Sequence, residues 1–175
     1  MPSYVALLRG VNLAAHNRVA MADLRRVLTD AGFSDVATHL QSGNAIFGAR
    51  QRSSAAVEKA VEKVLSSELG LDIDVMVRTA AELAAVVEGT PYPAGKTLYV
   101  AFLKSEPQPE AVAALEPARF EPERFELRGR ELYLHYPNGY GRTKMGGAYF
   151  ERVLKVPATV RNWNVTSALA ELAAR

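Results

Sequence analysis

An α+β fold made of two tandem units is predicted by three observations. Segments of strand and helix period follow one another in the order β-α-β-β-α-β over the first half. A stretch rich in Pro and Gly then interrupts the pattern, and the same order runs again to the end. The expected division is residues 1–89 for the first unit with a connecting helix, 90–96 for a linker, and 97–175 for the second unit with a C-terminal helix.

The first unit opens on Tyr4 to Leu8, a continuous apolar run that stops at Arg9-Gly10, as a central strand does. Met21, Leu24, Leu28 and Ala31 recur at helical spacing before Gly32. Val36, Thr38 and Leu40 alternate with Ala37, His39 and Gln41, which predicts a half-buried strand. Ser42-Gly43-Asn44 is turn chemistry, and Ala45 to Phe47 returns as the partner strand. Val57, Ala60, Val61, Val64 and Leu65 form an apolar helical stripe that ends near Gly70. Ile73, Val75 and Val77 alternate with Asp72, Asp74 and Met76 as a fourth strand. Thr79-Ala80-Ala81-Glu82 has the spacing of a capping box and opens a short helix that stops at Gly89.

Beyond the linker, Thr97 to Leu103 is apolar and β-prone, and Pro109 to Leu115 is a helix opened by proline. Arg124 to Leu127 and Glu131 to Tyr136 are strands joined around Gly129. Ala148 to Leu154 is a helix with Phe150, Val153 and Leu154 inward. Thr159-Val160 is a short last strand before a closing helix that carries Leu169 and Leu172. The order is that of a ferredoxin-like split unit, or α/β-plait, with antiparallel sheets. One continuous sheet with every helix on one face is the alternative. The repeat is read as one of pattern, not of residues.

Composition narrows the classes. The chain has 175 residues, no cysteine and a net charge of +2, which excludes disulfides, thiolate nucleophiles and cysteine metal sites. Arginine supplies fifteen of its 21 basic residues, which reads more simply as genomic base bias than as a phosphate-binding surface. The apolar run before Arg9 is too short for a signal core or a membrane span, so a cytoplasmic protein without a membrane partner is expected.

Four polar motifs stand at the ends of these segments: Arg9-Gly10-Val11-Asn12, Gln41-Ser42-Gly43-Asn44, Gly141-Arg142-Thr143-Lys144 and Arg161-Asn162-Trp163-Asn164. In a split unit the end of the first strand and the hairpin between the second and third share a rim, so the first two motifs meet. The other two meet on the opposite rim of the second unit. Glycines that bend the chain and Asn residues that cap helices account for the first pair structurally. In the second pair Asn162 or Asn164 caps the last helix and Trp163 anchors it. There Arg142, Lys144 and Arg161 beside helix N-termini suit an anion. The candidate ligand contacts are therefore Arg9, Asn12, Gln41, Ser42, Asn44, Arg142, Lys144, Arg161, Asn162 and Trp163, with Gln41 and Asn44 orienting the ligand only if the two rims meet, which strand order does not decide.

The glycines at 139, 141, 146 and 147 match neither a P-loop nor a dinucleotide fingerprint. His16, His39 and His135 have no metal-ligand spacing, and no nucleophile or carboxylate constellation is present. No cofactor is expected and no reaction is assigned. A nucleic-acid alternative comes from parity. If Leu98, Val100 and Phe102 face the helices, Tyr99, Tyr133 and His135 share the open face, where such folds stack single-stranded bases. A module without any ligand, its motifs serving only as caps and turns, is the third reading.

The motifs Leu7-Leu8-Arg9-Gly10-Val11-Asn12, His16-Asn17-Arg18-Val19-x-Met21, Leu40-Gln41-Ser42-Gly43-Asn44 and Thr159-Val160-Arg161-Asn162-Trp163-Asn164 together resemble a bacterial family, domain of unknown function 1697. The resemblance implies a tandem α/β-plait and lends no catalytic residue. It marks Arg9, Asn12, Gln41, Ser42, Gly43, Asn44, Arg142, Lys144, Arg161, Asn162 and Trp163 as motif positions. Ala14-Ala15 stand where members commonly carry Gly-Gly, which argues against a backbone nest in that loop.

Overall fold

The computed structural model describes residues 1–175 and holds two four-stranded antiparallel sheets and six helices. The first sheet runs β2 (Ser34–Thr38), β3 (Asn44–Gly48), β1 (Ser3–Leu8), β4 (Val75–Thr79). The second runs β6 (Arg124–Arg128), β7 (Glu131–His135), β5 (Leu98–Leu103), β8 (Ala158–Asn162). The helices are α1 (Met21–Asp30), α2 (Ser54–Leu69), α3 (Ala80–Glu88), α4 (Pro109–Ala113), α5 (Gly147–Leu154) and α6 (Trp163–Ala173). None is long and apolar enough to cross a membrane.

Local chemistry sets the helix ends. Ser53 Oγ accepts from Ala56 N–H at 3.2 Å to start α2, and Gly70 ends it in the left-handed region. The capping box forms in full: Thr79 Oγ1 accepts from Glu82 N–H at 3.1 Å, and Glu82 Oε2 accepts from Thr79 N–H at 2.8 Å. In the first unit Tyr4, Ala6 and Leu8 pack with Val75 and Val77 against Leu24 and Leu28 of α1 and Val57, Val61 and Leu65 of α2. In the second, Ala101, Leu103, Leu132 and Leu134 pack against Tyr149, Phe150 and Leu154 of α5.

Three expectations are corrected. The chain divides into Met1–Ala85 with Ala168–Arg175, and Val86–Ser167. The boundary thus falls inside α3 rather than at 90–96, and the end of α6 joins the first unit. There Leu172 and Arg175 border a cleft with Ser3, Ala37 and Ile46, and an apolar helix face goes where apolar surface can be covered.

The repeat also reaches individual residues. Tyr4-Val5-Ala6-Leu7-Leu8 reappears as Tyr99-Val100-Ala101-Phe102-Leu103, and Val77-Arg78 as Val160-Arg161. Register confirms the equivalence, since Val5 pairs with Arg78 and Val100 with Arg161. In both units a helix carboxylate covers the first amide of the last strand. Glu62 Oε1 accepts from Val75 N–H and Glu151 Oε1 from Ala158 N–H, each at 3.0 Å. Amides on an edge strand need such partners.

The third correction is parity. Tyr99 lies on the helix side of its sheet with Ala101 and Leu103, whereas Val100 pairs with Tyr133 on the other side. Tyr133 is buried, its hydroxyl donating to Val86 O at 2.7 Å. The three-residue stacking face therefore does not form. The cause is visible in β5: five of its six residues are buried, so burial carries no alternation from which a face could be read.

Candidate functional site

The first rim brings its two motifs together. Leu8 N–H donates to Gly43 O at 2.8 Å, and Asn12 Nδ2 donates to Gln41 O at 2.6 Å and to Val19 O at 2.9 Å. Asn12 Oδ1 accepts from Val19 N–H, so its whole carboxamide is used to hold two loops. Asn44 is fully buried, with Nδ2 donating to His39 O and Ser42 Oγ, both at 2.9 Å. These two carboxamides are internal braces, which removes Asn44 as a group that could orient a ligand. Gln41 and Ser42 stay exposed on the hairpin.

Arg9 is tied by its backbone N–H to Asp74 O at 3.0 Å. Its side chain borders an open cleft of about 670 Å³ with Lys59, Lys63, Asp72 and Asp74. Charges of both signs line that cleft. Ser66 Oγ already donates to Asp72 Oδ1 at 2.5 Å, and Glu62 holds the Val75 amide, so part of its polar wall is occupied by the fold itself.

On the second rim, strand direction gathers the motifs but sheet parity separates their side chains. Asn162 Oδ1 accepts from Val165 N–H at 2.8 Å and is the cap of α6, while Trp163 is buried as its anchor. Arg161 is also buried, on the sheet face away from α5, and its Nη1 donates to Thr159 Oγ1 at 2.6 Å. Burial pulls its guanidinium down to about 10. Arg161, Asn162 and Trp163 thus build the molecule, and Arg161 does not join Arg142 and Lys144.

Arg142 and Lys144 do share a cleft. It measures about 330 Å³ and lies between the loop after β7 and the segment 119–123. Both side chains are exposed, and neither makes a hydrogen bond or ion pair within the chain. Arg119 stands on the same wall, 5.3 Å over the Phe120 ring and paired with Glu116 at 3.3 Å. Glu123 on that wall is engaged, accepting from Thr143 Oγ1 at 2.8 Å. That bond and the Met145 N–H to Thr143 Oγ1 bond at 3.0 Å fix the loop between the two cations. Arg119 is the residue that sequence reasoning missed. It stands in an acidic stretch, Glu116-Pro117-Ala118-Arg119-Phe120-Glu121-Pro122-Glu123, which gives no sequence signal of a cation site.

The family model described as "Protein of unknown function (DUF1697)" matches residues 1–133. The chain belongs to this family. Among solved structures, this DUF1697 member is similar to conserved bacterial protein SP0830 from Streptococcus pneumoniae. The alignment covers 100% of this chain and 99% of that one, with a TM-score of 0.73 at 22% identity. At that identity the likeness shows the fold alone. No curated protein matches the chain.

Proposed function

We propose that this DUF1697 member is a cytoplasmic bacterial protein that binds a small anionic or phosphorylated ligand through Arg142 and Lys144, with Arg119 beside them. The observation that carries the reading is that two cations free of any partner in the chain line one concave site on a braced loop. We read both βαββαβ units, with their strand orders, as ferredoxin-like, which sets the loop after β7 on the rim where β8 also ends.

Calorimetric titration with phosphate, sulfate and sugar phosphates tests the proposal. Saturable binding is expected in the wild type, and Arg142→Ala and Lys144→Ala each weaken it roughly tenfold, the scale of one charge-assisted contact. Binding that survives the double substitution refutes this site. Absence of any titration beyond that of chloride at equal ionic strength refutes anion binding.

A further inference from the structure

The same loop carries an aromatic ring that the fold does not need to expose. Tyr140 is 38% exposed, yet its ring is held by two others. It stacks on Tyr99 with centroids 4.8 Å apart and planes 18° apart, and meets Tyr136 edge-on at 5.3 Å. Tyr99 and Tyr136 are themselves in edge contact at 5.3 Å, and Tyr136 is anchored by its hydroxyl to Met145 O at 2.7 Å. One face of Tyr140 is thus covered by Tyr99. A ring fixed in this way loses little freedom when something flat is laid on its exposed side.

The cations stand close by along the chain. Thr143 N–H donates to Tyr140 O at 3.2 Å, closing a turn over residues 140–143 that contains Arg142, and Lys144 follows directly. The preceding bond from Gly139 N–H to Tyr136 O at 2.9 Å closes the turn before it. Aromatic ring and free cations therefore stand on one loop pinned at Tyr136, Thr143 and Met145, with Gly139 and Arg142 on the cleft wall and Tyr140 between them in the chain, beside the cleft lining. A stacking surface joined to an anion site suits a molecule that joins a flat ring to a phosphate.

We propose that the ligand is a mononucleotide, its base stacked on the outer face of Tyr140 and its phosphate on Arg142 and Lys144. This rests on the anion reading above and narrows it. The probes are adenosine 5′-monophosphate, ribose 5-phosphate and inorganic phosphate, titrated into the full chain. The wild type is expected to bind the nucleotide about ten- to a hundredfold more tightly than ribose 5-phosphate, the range of base–aromatic stacking. Tyr140→Leu should bring the nucleotide to the level of ribose 5-phosphate and leave ribose 5-phosphate itself unchanged. Tyr140→Phe should keep the preference, since the ring and not the hydroxyl makes the contact. Arg142→Ala should weaken all three probes. Equal binding of nucleotide and ribose 5-phosphate by the wild type overturns the stacking proposal while leaving the anion site standing. A preference that survives in Tyr140→Leu overturns it as well. No binding of any probe overturns both.

Discussion

Replacing Gly43 with alanine separates a structural motif from a ligand-binding one. Gly43 sits at φ +84°, where an L-residue is strained by about 1–2 kcal/mol. An added Cβ would lie 2.6 Å from Val11 Cγ2 and 2.8 Å from Leu8 Cβ, where unstrained carbons stand roughly 3.5–4.0 Å apart. Neither neighbour can retreat freely. Val11 is a β-branched core residue, and Leu8 donates its N–H to Gly43 O at 2.8 Å. Overpacking of this kind costs about 1–3 kcal/mol. The stiffer unfolded chain returns about 0.4–1 kcal/mol. The net expectation is a loss of about 2–4 kcal/mol in urea unfolding, with little change in the denaturant slope. Val11→Ala removes the nearer contact, so the double variant should lose at least about 1 kcal/mol less than the two single losses combined. A loss under about 1 kcal/mol for Gly43→Ala, or full additivity with Val11→Ala, refutes the reasoning. In that event the close approach of Gly43 to Leu8 and Val11 is not what holds the Gln41–Asn44 hairpin in place.

Two further outcomes follow from the described geometry. Asn162→Ala removes the α6 cap and should cost about 0.5–2 kcal/mol, whereas Asn164→Ala, exposed within the first turn, should change stability by less than about 0.5 kcal/mol in the same unfolding assay. Tyr92, Tyr133, Tyr136 and Tyr140 are all raised above the ordinary phenol value of 10.0, chiefly by burial. The folded state therefore holds their protons longer than the unfolded one. Stability from these groups is complete below pH 10 and is lost as pH rises through their raised values, so the phenolate absorbance of these four tyrosines should appear above pH 10 and move back toward it on unfolding. Titration of these four tyrosines near pH 10 in a chain that stays folded contradicts this.

Much of the fold is legible in the residues because helices and strands are set by local period and by caps. The stripe Val57, Val61, Leu65, the Thr79–Glu82 box and the stop at Gly70 need only their own neighbours in sequence. The meeting of the Asn12 and Gln41 loops is legible too, since strand order and direction fix which ends share a rim. The internal repeat of Tyr-Val-Ala also stands in the sequence, though its meaning rests on the matched pairings of Arg78 and Arg161.

Tertiary structure alone decided which side chains are free. Asn12, Asn44 and Asn162 look like ligand contacts in sequence, yet each is consumed by a backbone partner, from a distant loop for Asn12, the preceding turn for Asn44 and the following helix for Asn162. Arg142 and Arg161 carry the same guanidinium. One is left in solvent by a loop, and the other is turned into the buried side of a sheet by strand parity. Period-two alternation says that neighbours on a strand point opposite ways, but where both faces are buried it cannot say which way either points. Burial of the β5 residues on both faces removed that signal, and only the packing of Tyr99, Ala101 and Leu103 beside α5 restored it.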